Sequence, residues 1–202
     1  MLNSDQVPPL LCLASASPRR RELLTQIGVP HITVSTDIDE GLRDGEKASD
    51  YVLRLAKEKA LAARNLNPSL PVLAADTTVV VDGVVFGKPL DRSEGIAMLR
   101  QLSGREHEVL TAVALADVAG VRERLSSSTV RFRPLLPEEC AAYWETGEPR
   151  DKAGGYAIQG LGAVFIEFLR GSYSGVMGLP LYETGELLNA AGIPYWRAGV
   201  RR

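Results

Sequence analysis

Ser15-Ala16-Ser17-Pro18 runs directly into three consecutive arginines, Arg19, Arg20 and Arg21. Hydroxyl and guanidinium groups are donors suited to anions, and arginine can grip phosphate oxygens through two parallel N–H bonds. If a strand ends and a helix starts here, the unpaired N–H groups and positive dipole of the helix join the same anion site. A capped surface helix with solvated arginines would use the same residues. Asp76 closes the apolar run Val72-Leu73-Ala74-Ala75. A carboxylate at a strand end can hold a divalent cation or activate water, or it can simply cap a turn with Thr77. Asp39 and Glu40, in an acidic loop, can share such a cation. Lys59 and Lys88 can meet a phosphate as point charges. In Asp151-Lys152-Ala153-Gly154-Gly155-Tyr156-Ala157-Ile158-Gln159-Gly160, glycines allow close backbone approach, and Gln159 offers the donor and acceptor that reading a base edge requires. Each of these signals alone also fits an ordinary surface or turn residue.

The elements that must position these groups follow from periodicity and capping. Leu10 to Ala14 predicts a buried strand; Ser17 predicts an N-cap, with Pro18 in the first helical position and the helix running through Arg19 to Ile27. Ile32 to Ser35 predicts a second strand. Ser49 is placed to cap a long helix over Tyr51 to Arg64. Val72 to Ala75 predicts a strand ending at Asp76. Thr77 to Val81 and Val84 to Phe86 flank Asp82-Gly83, a two-residue hairpin signal. A short helix over Ser93 to Leu102 precedes strands over Val109 to Ala116 and Val121 to Arg133. Pro137 opens a helix through Trp144. Asp151 to Gly162 reads as a Gly-rich loop, Ala163 to Leu169 as a strand and Pro180 to Ala191 as a final helix. Helices and strands alternate, with hairpins interrupting, so the class is α/β with a mixed sheet.

Composition narrows the rest. The chain has 202 residues, 45% hydrophobic and 24% charged, which suits one domain spanning 1–202 with a normal core. Residues 1–9 are polar and expected to fray. With 23 basic and 25 acidic residues, the net charge of -2 argues against nucleic acid or an anionic membrane as partner. Cys12 and Cys140 are too few and too far apart for a disulfide scaffold or zinc site, which points to a reducing cytoplasm. His31 and His107 lack partners at metal or triad spacing. No Walker-type loop and no Gly-x-Ser-x-Gly is present.

In order along the chain, six segments resemble one family, the Maf proteins, associated with septum formation and assigned as nucleotide pyrophosphatases. They are Leu13 to Arg20, Asp39-Glu40, Ala56 to Ala60, Ala75-Asp76-Thr77, Gly87-Lys88-Pro89 with Leu102-Ser103-Gly104, and Asp151 to Gly160 followed by Gly178-Leu179-Pro180. The resemblance implies a fold related to inosine-triphosphate pyrophosphatases: an elongated mixed sheet flanked by helices, with two lobes around a deep cleft. It also implies Mg²⁺ or Mn²⁺ as cofactor and a homodimer. On the family pattern Asp76 falls on the general base. Ser15, Arg19, Arg20, Lys59 and Lys88 fall on phosphate-contacting positions, and Glu40 on a metal-holding one, with Asp76 sharing the metal. Arg19, Thr77 and Gln159 match the branch acting on dTTP and UTP, whereas the branch acting on 7-methyl-GTP carries Trp, Gln and Glu. Gly155 and Ala157 exchange the family's usual Ala and Gly around Tyr156. The implied reaction is hydrolysis of a small-molecule nucleoside triphosphate between its α- and β-phosphates. 7-Methyl-GTP hydrolysis and a nucleotide-sensing regulator of division are the alternatives; two carboxylates able to activate water favour an enzyme.

Overall fold

The computed structural model describes residues 8–196; of the N-terminal segment expected to fray, residues 1–7 lie outside it. Seven strands, β1 (Leu11–Ala14), β2 (His31–Val34), β3 (Val72–Val81), β4 (Val84–Phe86), β5 (Glu106–Asp117), β6 (Gly120–Phe132) and β7 (Ile166–Arg170), form one sheet. Six helices flank it: α1 (Pro18–Gln26), α2 (Ala48–Leu66), α3 (Arg92–Leu102), α4 (Pro137–Glu145), α5 (Tyr173–Met177) and α6 (Leu181–Ala190). The strand order is β2-β1-β3-β5-β6-β7, with β4 also paired to β3. β1 runs parallel to β2 and β3, and the remaining pairs are antiparallel, so the sheet is mixed as expected.

Strand alternation sorts the central residues onto two faces. Leu11, Leu13, Leu73, Ala75, Val113 and Leu115 pack under α1 and α6, against Leu23, Leu24, Leu187 and Leu188. Their neighbours Cys12, Ala14, Val72, Ala74, Ala112, Ala114 and Ala116 face Val52, Ala56, Ala60 and Ala63 of α2. Small side chains on both surfaces let α2 lie close to the sheet, which brings Lys59 within reach of β3. The far ends of β3, β5 and β6 carry a separate core: Val79, Val109 and Phe132 pack with Ile96, Leu99 and Leu102 of α3 and Cys140, Tyr143 and Trp144 of α4. Both cysteines are buried and free.

Several local expectations change. Val72–Ala75 and Thr77–Val81 are one ten-residue strand, so Asp76 lies mid-strand rather than at a strand end. Its backbone is paired with Ala112 of β5, and that pairing carries the strand through the polar Asp76-Thr77 step. Ser17 occupies the N-cap of α1 without a side-chain cap bond; instead its N–H donates to Ser15 Oγ at 3.1 Å. α2 begins at Ala48 with Lys47 as N-cap, which puts Ser49 inside the first turn. The Gly-rich segment contains short 3-10 turns, and one of them takes residues 161–165, so β7 starts at Ile166. The five-residue α5 was not expected; its core is Ser-Gly, with low helix propensity, and Ser172 caps it by accepting from Gly175 N–H. The Asp82-Gly83 hairpin forms as expected, with φ of 50° and 79°, both positive as a primed turn requires.

Candidate active site

β1 ends early, and that creates the opening. β3 pairs with β1 only as far as Ala74, and with β4 only from Val79. Between those contacts, residues 75–78 have no strand partner on that side. This is the place where β1 passes into α1, so the helix N-terminus and the unpaired stretch of β3 adjoin. The logic that open sheets bind ligands beyond the carboxyl ends of parallel strands is therefore met by β1, not by an end of β3.

Arg20 fills part of this gap. Its Nε donates to Gly178 O at 2.7 Å, Nη1 to Ala75 O at 2.7 Å and Nη2 to Thr77 Oγ1 at 3.1 Å. The guanidinium thus holds α1, β3 and the α5–α6 link together, on both sides of Asp76 in sequence. Burial lowers its pKa, while the charges of Asp76 and Glu40 act the other way. Three of its five N–H groups are used by protein acceptors, and two remain for an anion. Gly178, with φ 118°, supplies the carbonyl; a Cβ there would stand 3.3 Å from Arg20 Nε. Thr111 Oγ1 lies 2.8 Å from Gly175 O and 3.0 Å from Thr77 Oγ1. A carbonyl only accepts, so the Thr111 proton goes to Gly175, and Thr77 supplies the proton of the hydroxyl pair. Thr77 is left with acceptor capacity alone.

Asp76 is 7% exposed and faces Lys59. Lys59 Nζ lies 2.6 Å from Asp76 Oδ1 and 2.7 Å from Glu40 Oε1, so one ammonium bridges two carboxylates. Burial opposes ionisation of Glu40, but the Lys59 hydrogen bond and the charges of Lys59, Lys88 and Arg20 hold its pKa below the ordinary carboxylate value. Lys88 is itself exposed. Asp39, by contrast, turns inward on its own loop and accepts from Gly41 N–H at 2.9 Å.

The Gly-rich segment approaches from the second core. Gly154 N–H donates to Gly87 O at 3.0 Å, which seats the segment beside Gly87-Lys88-Pro89. Arg19 Nη1 reaches Asp151 Oδ2 at 3.5 Å, and Lys152 Nζ donates to Asp151 Oδ1 at 2.6 Å. Two anchors fix the turn that carries Gln159. Tyr156 OH is hydrogen-bonded to His107 Nε2 at 2.8 Å inside an edge-to-face cluster with Phe132. Glu148 accepts from Tyr143 OH, Leu161 N–H and Gly162 N–H. Gln159 itself is exposed.

The structure therefore forms two groups on neighbouring residues of β3: Arg20 bonded to Thr77, and Lys59 paired with Asp76 and Glu40, with Lys88 acting on Glu40 through its charge. Arg19 meets Asp151 instead. Ser15, half-buried at the end of β1, accepts from Ser17, and among the described residues no acceptor takes its O–H. Gln159 has no hydrogen bond to either group. Sequence reasoning passed over Tyr51, Arg54, Thr111 and Glu148; only the helical spacing of Tyr51 and Arg54 beside the acidic loop could have signalled any of them.

The donor set suits a hard divalent cation. Glu40 and Asp76 offer carboxylate oxygens, and among the described residues no third His, Cys, Asp or Glu joins them. Mg²⁺ takes one or two protein carboxylates and completes its shell with phosphate oxygens and water.

A family model described as Maf-like protein matches residues 10–191. A dTTP/UTP pyrophosphatase of Bordetella parapertussis is 54% identical over 196 residues, covering 92% of this chain and 94% of that one. A dTTP/UTP pyrophosphatase of Methylobacillus flagellatus is 55% identical over 183 residues, covering 90% and 92%. Among solved structures, the Staphylococcus aureus Ham1 protein matches with a TM-score of 0.50 and 13% identity over 90% of this chain and 96% of that one, a likeness of fold alone. A family match across most of the chain, on the same segments that build the site, makes this protein a member of the Maf-like family.

Proposed function

We propose that this protein hydrolyses dTTP and UTP to the nucleoside monophosphate and pyrophosphate. The observation that carries the reading is the Asp76–Lys59–Glu40 bridge beside the arginine-bearing start of α1. It sets a water-activating carboxylate next to cationic groups for a polyphosphate. The relatives named dTTP/UTP pyrophosphatase, more than half identical over nine-tenths of the chain, support the substrate class.

In this mechanism Arg19, the free N–H groups of Arg20, Lys59, Lys88 and the Ser15 hydroxyl bind the phosphates and stabilise the charge that builds on them. Asp76 accepts the proton of the attacking water. The water oxygen bonds to the α-phosphorus as the bond from that phosphorus to the α–β bridging oxygen breaks, and pyrophosphate leaves with the bridging oxygen. Glu40 and Asp76 would hold Mg²⁺ or Mn²⁺, whose chemistry is to neutralise phosphate charge and make water more acidic. Thr77 and Gln159 contact the pyrimidine: its edge shows acceptors and a donor, which Gln159 can match. Positioning and electrostatics carry the rate.

A homodimer in the cytoplasm belongs to the same reading. The outer edge of β7, which no strand covers among the described residues, supports the first, and two free buried cysteines support the second. The test is a rate panel of dTTP, UTP, 7-methyl-GTP and the remaining nucleotides, with and without a chelator. Metal-dependent preference for dTTP and UTP is expected. Faster hydrolysis of 7-methyl-GTP would overturn the substrate assignment, and rates indifferent to chelation would remove the metal.

A further inference from the structure

Glu40 is the least supported side chain of the site. It is a half-exposed side chain on a loop with no regular structure, yet it must stay 2.7 Å from Lys59. The first half of α2 runs alongside that loop and supplies tethers to it. Tyr51 OH donates to the backbone carbonyl of Glu40 itself at 2.9 Å. One turn on, Arg54 Nη2 donates to Gly41 O at 2.9 Å. The same guanidinium grips both oxygens of Glu46 with one edge: Nε to Oε1 at 2.6 Å and Nη2 to Oε2 at 2.7 Å. Glu46 in turn accepts from Arg43 N–H at 3.1 Å, which closes the loop on itself. Glu58, one turn further along α2, receives Arg54 Nη1 and Arg43 Nη2.

Arg54 and Glu46 are unusual for charged residues beside an exposed loop. Their side chains are only 12% and 11% exposed. The Arg54 hydrogen bonds hold the Glu46 carboxyl down at about 2, so it stays ionised and gripped across the working pH range. Arg54 ties the residue after Glu40 to the far end of the loop, and Tyr51 ties Glu40 directly. Both tethers come from the helix that also carries Lys59. The helix that carries Lys59 therefore also sets where Glu40 stands, through side-chain tethers rather than a strand ladder.

We propose that Arg54 is a positioning residue for the reaction: its fork on Glu46 and Gly41, assisted by Tyr51, fixes the 40–46 loop so that Glu40 faces Lys59 and Asp76. Lysine does not replace it, because a single ammonium has no planar fork with which to hold a carboxylate and a carbonyl at once. The proposal rests on the pyrophosphatase reading for its activity readout, and has a second readout that needs no substrate.

The test is a double-mutant cycle on the full-length protein with dTTP, using Arg54→Gln, Glu40→Ala and the pair, together with amide hydrogen exchange of the 38–47 segment. Arg54→Gln is expected to lower kcat/KM by ~10- to 100-fold, the range for residues that orient a metal-binding group. In the Glu40→Ala background the same change should cost less than about twofold, because its effect runs through Glu40. Arg54→Lys should retain most of the loss. Exchange across 38–47 should speed up in Arg54→Gln while exchange in β3 stays slow. Additive losses, or unchanged loop exchange, would overturn the proposal. A wild-type protein without pyrophosphate release would instead sink the functional reading, and the exchange result alone would then decide the clamp.

Discussion

Asp76 and Glu40 share one ammonium, and they are held in opposite ways. Asp76 sits on a ten-residue strand whose backbone is paired along its length with β5, and Arg20 braces the residues on either side of it. Glu40 sits on a loop, and side-chain tethers from α2 do the work that a strand does for Asp76. The first arrangement places a reacting group and keeps it dry. The second rests on a few side-chain hydrogen bonds, which open more readily than a strand ladder. The contrast separates a fixed half of the site from an adjustable half.

The largest effect that would break this comparison is expected at Asp76. Asp76→Asn should lower kcat by about 1,000-fold, within the range for a general base, while the melting temperature changes little. Near-normal turnover would take Asp76 out of the mechanism and leave β3 as scaffold. Glu40→Gln should cost less, ~10- to 100-fold, and the loss should fall mainly on the metal concentration needed for half-maximal rate. If Glu40→Gln were as damaging as Asp76→Asn, the division into fixed and adjustable halves would fail.

A third part of the site, the turn that carries Gln159, has a buried anchor. His107 is 3% exposed, and burial holds its pKa at about 4 against an ordinary 6.5. Between those values the unfolded chain binds the proton that the folded one refuses. Stability from this group is therefore complete above pH 6.5 and is lost as the pH falls towards 4. Urea unfolding at pH 7 and pH 4.5 should show the wild type losing roughly 2 to 3 kcal/mol more than His107→Gln. Equal losses would mean that His107 protonates without cost and is not locked to Tyr156. The smallest effect is expected at Gln159→Glu: about a tenfold fall in the rate on dTTP and UTP relative to other nucleotides, with the fold intact. Unchanged relative rates would sharpen the picture by removing the exposed turn from base reading.

Much of the fixed half was legible in the sequence, because its signals are local. Apolar runs gave β1 and β3, Pro18 gave the start of α1, and Asp82-Gly83 gave the hairpin. The extent of β3 was not legible. Asp76-Thr77 interrupts an apolar pattern, and only pairing with β5 shows that the strand continues. The adjustable half hid for the opposite reason. Tyr51 and Arg54 look like ordinary helix-surface residues until the loop folds back onto them. Arg20 was legible as a cation, but its use as a brace depends on carbonyls 55 and 158 residues away. Long-range partners of this kind leave no trace in spacing.

The central claim is cleavage between the α- and β-phosphates. Its most direct measurement is to incubate the purified protein with dTTP and Mg²⁺ and identify both products. The account predicts dTMP and pyrophosphate in equal amounts, lost together in Asp76→Asn. Release of dTDP and single phosphate would contradict it.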